Sequence, residues 1–577
     1  MSLSKRILIA VVIAFILIVG ILSIYNFGLK KKDIASDDQP VHKHYLGGVA
    51  ANGKECADIG ASILKKNGSV ADAAIATMLC EGVTCPQSTG LGGGFHLVIY
   101  IKDKNLVETL DAREVAPIAA TEEMFNNAKE KASLEGGLSI AVPGELKGMW
   151  ELHQKYGKMP WKDIFQPVIE LCRNGHEVTA YLARVLRLKQ QAILDTPALR
   201  EVFVNPKTND IWNAGDRIKR LALADTMETI ATEGADTLYA MGKIGRQLLD
   251  DINEAGGILT ENDFAEYKVK WRKPVQTTLK TGEHLYSMPL TSSGALVVFI
   301  MNLLKEYDLQ HDVLSYHRIM EAYKFAYARR ADLADPDFVE SAAALQANLT
   351  SLDYANEIRK RIDDKRTHNE PGYYDDHFAA TDDHGTAHIS VLAPNGDAIS
   401  ATGTINFILG SLIRSKTGII LNDEMDDFST PGLKNVYGIP PSPNNYIMPG
   451  KRPMSSMAPT IVVKPDGNVG MVIGSSGGSK ITTAIAHTII EHYIMKSKDS
   501  LLEVFSQKRL HHQMVPNLIS YDPGFDQKII DGLAALNHTM EMFTQTYGFG
   551  ALIGILSEDN IISGAYDPRR GGSITVF

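Results

Sequence analysis

The sequence predicts a mixed α+β globular body behind a short apolar N-terminal segment, and three observations carry that prediction. His384–Leu392 and Ala398–Asn406, rich in small and β-branched residues, flank Pro394-Asn395-Gly396-Asp397, the chemistry of a β-hairpin turn. From Thr121 to about Glu370 the pattern is mainly helical, with a long run from Leu314 to Ala334. Of 577 residues, 44% are hydrophobic and 22% charged, enough apolar content for a sizeable core. A formal charge of -10 gives no nucleic-acid footprint and identifies no substrate.

At the N-terminus, Lys5-Arg6 precede an apolar run from Ile7 to Ile24, broken only by Gly20 and Ser23, and Lys30-Lys31-Lys32 follow. About 18 helical residues span roughly 27 Å, close to a bilayer core. A secretory signal has a shorter apolar region and a small-residue cleavage site, which is not evident here. The expectation is therefore residues 1–6 outside the bilayer, a transmembrane signal anchor at 7–27, and a polar stalk at 28–41. Two basic residues against three leave its orientation open. His42 and His44 at the stalk edge lack a third ligand and read as solvated.

Cys56 lies in a helical pattern ending at Asn67-Gly68, and Cys80 in one that Ser69 caps with Asp72 three residues on. In an antiparallel helical hairpin they face each other, so a disulfide and an oxidising compartment are expected. Cys85 and Cys172 read as buried free thiols. Asn67, Asn348 and Asn537 open glycosylation sequons.

The glycine segment Ser88–Phe95 lacks the Gly-Lys-Ser/Thr ending of a phosphate loop and reads as backbone packed closely under a site. Arg113 follows a predicted strand; in a pocket its planar fork would suit a carboxylate, and elsewhere it would be an ordinary ion pair. Pro143-Gly144 opens a helix, and Asp364–Asp383 is patterned as an exposed loop. Asp423, Glu424, Asp426 and Asp427 crowd a turn without EF-hand spacing, so either calcium or a cationic amine could be their partner. His384 and His388 would share a metal only on a helix.

Gly474-Ser475-Ser476-Gly477-Gly478 matches a G-x-S-x-G elbow, and His487, His492, His511, His512 and His538 keep a serine hydrolase using Ser476 open as an alternative. The other use of Gly477-Gly478 is to donate backbone N–H groups to an oxyanion. Cleavage of the Gly385-Thr386 bond would give Thr386 a free amine beside its hydroxyl, an activated nucleophile.

From about His42 to Phe577 the chain resembles the γ-glutamyltransferases, membrane-anchored N-terminal nucleophile hydrolases that act on glutathione. The resemblance rests on Ser88–Phe95, Asp111–Pro117, Thr386–Val391, Asn422–Ser429, Pro453–Met457 and Gly477-Gly478. It implies a four-layered αββα sandwich whose precursor cleaves itself between Gly385 and Thr386. A large subunit (catalytic part 42–385) and a small one (386–577) would then form a heterodimer. It implies that Thr386 is the nucleophile, that Thr404 tunes the new amine, and that Gly477 and Gly478 form the oxyanion hole. Arg113, Ser455 and Ser456 would hold the α-carboxylate of the γ-glutamyl group, and Asn406, Glu424 and Asp427 its α-amine. Tyr446 falls in a segment resembling the lid loop.

Glutathione or another γ-glutamyl compound would be the donor and water, an amino acid or a dipeptide the acceptor, with no metal or organic cofactor. The resemblance also implies a single-pass type II plasma-membrane protein with an extracellular body. Where some animal members carry a second cysteine pair, this chain has Arg200 and Val204. An inactive surface binding protein of the same fold is the remaining alternative.

Overall fold

Two antiparallel sheets lie face to face with helices on both outer sides. The computed structural model describes residues 46–370, 372–375, 385–432, 440–497, 499–544, 550–559 and 561–577. The expected anchor, the stalk, His42, His44 and His384 lie outside the described residues. Among the described residues no helix is long and apolar enough to cross a membrane.

The first sheet runs, edge to edge, Ser573–Val576, Gly48–Ala51, Gly385–Leu392, Ala398–Asn406, Gly94–Ile101, Leu106–Ala112, Lys270–Arg272. The second runs Ile561–Tyr566, Ala551–Glu558, Val469–Ser476, Thr460–Val463, His284–Ser287, Val275–Thr278. Strand periodicity of two explains the layering. Along Gly94–Ile101, Leu97 and Ile99 join the helix-side core, while Val98 and Tyr100 meet Ile461, Val472 and Ile553 between the sheets. Helices Val70–Thr84, Glu145–Tyr156 and Trp161–Asn174 cover the first sheet, and Gly294–Leu304, Val313–Arg330 and Lys480–Ile489 the second. This is the expected αββα order.

Local chemistry sets several element ends. Ser69 and Asp72 form a reciprocal capping box at the start of Val70–Thr84. The preceding helix, Cys56–Lys65, lies against it, and Cys56 and Cys80 form a disulfide with Cα atoms 5.4 Å apart. Cys85 and Cys172 are buried free thiols. The predicted hairpin turns at Gly396, φ +85°, where Gly396 N–H donates to Ala393 O at 2.9 Å. The long helix starts one residue before the expected Leu314 and ends at Arg330, short of Ala334.

Two expectations change. The stretch taken as mainly helical contains strands Lys270–Arg272, Val275–Thr278 and His284–Ser287, the last two joined through Gly282 at φ +104°. Of the expected exposed loop, Asp364–Arg366, Asn369, Glu370 and Gly372 are exposed, but Thr367 and Tyr374 are buried and pin it, Tyr374 donating to Glu321 Oε2 at 2.8 Å. Arg200 and Val204 lie in a helix and a short strand, Arg200 donating to Asn209 Oδ1 at 3.0 Å.

Candidate active site

The strand Gly385–Leu392 lies between Gly48–Ala51 and Ala398–Asn406. Its pairing shifts at its first residues: Gly385 faces Asn406 and Ala387 faces Gly403, so Thr404 and Ile405 together oppose Thr386. This β-bulge re-aims Thr404. Its Oγ1 donates to Gly385 O, the carbonyl of the predicted scissile bond, and accepts from Asn406 N–H at 2.8 Å. In the uncleaved chain, therefore, the hydroxyl expected to tune the Thr386 amine sits on the preceding carbonyl instead. Thr386 itself is buried.

Arg570 was not identified from the sequence. Its Nη1 donates to Thr386 O and, at 2.7 Å, to Ser476 Oγ, while Nη2 donates to Ser88 Oγ at 3.1 Å. One guanidinium thus ties the threonine strand, the glycine segment and the end of Val469–Ser476 together. Its sequence signal was the turn Asp567-Pro568-Arg569-Arg570-Gly571-Gly572 before the last strand.

Beyond Ser476 the backbone turns at Gly477 (φ +119°) and Gly478 (φ +62°) into helix Lys480–Ile489. A Cβ on Gly477 would come 2.7 Å from Gly550 Cα. Neither glycine N–H has a hydrogen-bond partner among the described residues, which leaves two backbone donors in adjacent positions. The glycine segment behaves as expected: Cβ atoms on Gly92 and Gly93 would fall 2.0 Å from Ile420 O and Thr404 O.

The serine-hydrolase alternative loses its geometry. Ser476 Oγ is held by Arg570 and reaches only Ala551 O, at 3.4 Å. His511 is engaged by Thr483 and Gln513, His512 by Met514 N–H, and His538 by His317. His492 faces Glu558 at 3.8 Å, and His487 has no hydrogen bond to Ser476. The sheet is antiparallel, unlike the hydrolase sheet that an elbow requires.

Arg113, just past Leu106–Ala112, is fully buried and not a surface ion pair. Its Nη1 and Nη2 meet Glu424 and Asp427, on the turn Glu424–Asp427, and Glu114 lies 3.7 Å away. Nε and Nη2 approach Pro453 O and Met454 O at 3.5 and 3.4 Å, so the guanidinium ends one residue from Ser455. Both Ser455 and Ser456 are buried. Asn406, φ +69°, donates through Nδ2 to Asp423 O at 3.1 Å, which anchors it to the acidic turn. Tyr446 pairs its backbone with Ser429 beside that turn.

Charge is crowded here. Burial pushes Glu114 up to about 8 and raises Asp423 and Glu424 well above the usual carboxylate range; Arg113 opposes the rise in Glu114 and Glu424. Asn406 Oδ1, Glu424 Oε2, Asp423 Oδ2 and both Glu114 oxygens have no hydrogen-bond partner among the described residues. Unsatisfied acceptors beside Arg113 and along the acidic turn leave hydrogen-bonding capacity for N–H donors.

His388 is in a strand and buried between the sheets, where Nδ1 meets Thr402 Oγ1 at 2.8 Å and Nε2 meets Ser390 Oγ at 3.1 Å. Burial lowers it to about 3, so it stays neutral. One group, His317, Glu321 and His538, has metal-ligand spacing, all three atoms within 4.8 Å. The His317 nitrogens meet His538 Nε2 and Asp363 O, and the Glu321 oxygens accept from Thr367 and Tyr374. The group reads as a closed hydrogen-bond network. The sequon residues Asn67, Asn348 and Asn537 are all exposed.

An αββα sandwich with a buried threonine at the second position of an inner strand has the architecture of the N-terminal nucleophile hydrolases. The family profile for gamma-glutamyltranspeptidase matches residues 56–577, and the chain belongs to that family. It is 43% identical to Scoloptoxin SSD14 of Scolopendra dehaani over 538 residues, 91% of each chain. It is 37% identical to glutathione hydrolase 3 of Arabidopsis thaliana, over 82% of this chain and 74% of that one. In fold it is similar to the crystal structure of cephalosporin acylase from Bacillus halodurans, with TM-score 0.81 and 22% identity, covering 93% of this chain and 97% of that one.

Proposed function

We propose that this protein is a self-cleaving γ-glutamyltransferase that opens the γ-glutamyl amide of glutathione and related compounds. The observation that carries the reading is one buried cationic fork facing paired acids, linked through Asn406 to a threonine whose preceding carbonyl already accepts a hydroxyl hydrogen bond.

In the precursor, Thr386 Oγ attacks the Gly385 carbonyl carbon, and Thr404 stabilises the charge developing on Gly385 O. The peptide C–N bond breaks, the acyl group passes to Oγ, and water opens that ester. Gly385 leaves as a carboxylate and Thr386 gains a free amine, giving a heterodimer of large and small subunits. The amine then serves as general base.

A γ-glutamyl donor is a zwitterion and needs both signs of the Arg113 cluster. Its α-carboxylate takes the Arg113 fork with Ser455 and Ser456, and its α-ammonium takes Asn406, Glu424 and Asp427. Thr386 attacks the γ-carbonyl, the oxyanion lies on Gly477 and Gly478 N–H groups, and the amine leaves after protonation. Water or the amine of an amino acid or dipeptide then accepts the glutamyl group.

The apolar run before the body and the disulfide support a signal-anchored, extracellular enzyme, with Asn67, Asn348 and Asn537 as glycosylation sites.

The test compares wild type with Thr386→Ala by denaturing electrophoresis, N-terminal sequencing and release of aniline from a γ-glutamyl anilide. Two wild-type bands, the smaller starting at Thr386, with cleavage and release both lost in the variant, are expected. Release by an uncleaved Thr386→Ala chain would overturn the mechanism.

A further inference from the structure

We infer that Arg330, which touches no predicted substrate atom, is a positioning residue that makes the enzyme selective for donors carrying an α-carboxylate. The inference rests on the γ-glutamyl reading above and deepens it.

Arg330 closes helix Val313–Arg330, an outer helix of the second sheet, and is buried. Its neighbour Arg329 pairs with Asp332 at 3.0 Å at the partly exposed edge of the helix end, whereas Arg330 turns inward. Arg330 Nη2 donates to Ser456 Oγ at 2.7 Å. A guanidinium has only donors, so the Ser456 oxygen must be the acceptor in this bond. The serine's own proton is then directed elsewhere, and its hydroxyl makes no other hydrogen bond among the described residues.

Ser455 is arranged alike. Its Oγ accepts from Met457 N–H at 3.2 Å, and its backbone is fixed by Ser293 Oγ on its carbonyl at 2.8 Å and Thr291 O on its N–H at 2.9 Å. Each hydroxyl therefore accepts from one fixed N–H group and keeps its O–H for donation. A carboxylate, which only accepts, is the ligand group that this pair selects. Arg113 reaches the Pro453 and Met454 carbonyls on one side, and Arg330 binds Ser456 on the other, so the two serines lie between cations. The second cation strengthens Ser456 as a donor and adds attraction for the anion.

The experiment uses cleaved two-chain enzyme, normalised for processing, and two probes: a γ-glutamyl anilide and the 4-aminobutanoyl anilide, which lacks only the α-carboxylate. In Arg330→Gln, KM for the γ-glutamyl probe should rise about tenfold with kcat within about threefold, while kcat/KM for the 4-aminobutanoyl probe stays within about twofold. In a Ser456→Ala background the same change should add less than about twofold, because the two residues act as one unit. Arg330→Lys, which lacks the planar fork, should lose about threefold of the preference.

Equal losses on both probes in Arg330→Gln, or a full further tenfold loss in the Ser456→Ala background, would overturn the inference. If Arg330→Gln yields no cleaved enzyme, retention of the whole wild-type preference by Arg330→Lys would overturn it. Failure of wild type to release aniline from the γ-glutamyl probe would instead sink the functional reading.

Discussion

Two buried clusters that each join basic and acidic side chains, around Arg113 and around His317, differ in how their hydrogen bonds close. At Arg113 one guanidinium serves Glu424 and Asp427 with Glu114 nearby, and several acceptor atoms stay unsatisfied. Around His317 every ligand-type atom of the trio that faces its fellows already has a protein partner. Asp363 O can only accept, so His317 Nε2–H donates to it at 2.8 Å, and His317 Nδ1 and His538 Nε2 share a hydrogen bond at 2.8 Å. Burial lowers His538 to about 3, so that ring stays neutral. The contrast teaches that composition does not separate a ligand site from a structural network, whereas unfilled hydrogen-bonding capacity does.

Breaking the open cluster should give the largest effect. Arg113→Gln removes the cation shared by the acids, and kcat/KM for a γ-glutamyl anilide should fall about 10³-fold. Stability should fall by about 2 kcal/mol, because the acids can take up protons in place of the lost charge. Steady-state kinetics and urea unfolding measure the two. A loss in stability with unchanged kcat/KM would reduce Arg113 to a structural ion pair.

The closed cluster should respond in the opposite sense. His538→Ala leaves His317 Nδ1 buried without its hydrogen-bond partner, which costs about 2 kcal/mol in urea unfolding, while kcat/KM per cleaved enzyme stays within about twofold. Dialysis against a chelator should leave Tm unchanged, since the ligand-type atoms are taken by Asp363, Thr367 and Tyr374. A chelator-induced drop in Tm would turn this network into a metal site.

How much of this was legible in the sequence depended on range. The capping box at Ser69 and Asp72, the Gly396 turn and the cysteine hairpin are local devices, and each was read correctly. Site residue types came with the resemblance, because six ordered motifs carry them. Unread were the contacts that only folding creates. Arg570 reaches Thr386 across 184 positions, and the bulge that aims Thr404 exists only once two strands are in register. The Lys270–Ser287 strands were missed because short strands set among helices give weak periodicity.

Glu145 lies between the two clusters in character and gives the smallest prediction. It begins helix Glu145–Tyr156, which packs on strands Gly94–Ile101 and Leu106–Ala112, and its Oε2 accepts from Thr89 Oγ1 and Gly90 N–H, both at 3.3 Å. Burial is the main cause that pushes it up to about 8, with Glu114 and Glu81 adding to the rise. Between its ordinary value of 4.5 and about 8 the folded state binds a proton that the unfolded chain has released. Stability must therefore fall as pH rises through that window and level off above it. Water entering on ionisation limits the loss, so Glu145→Gln, neutral throughout, should remove about 1 kcal/mol of the decline between pH 5 and 8. Urea midpoints of wild type and variant across that range would decide it. Parallel profiles would mean that Glu145 ionises freely, like a solvated acid, and that the crowding of buried charge stops at the Arg113 cluster.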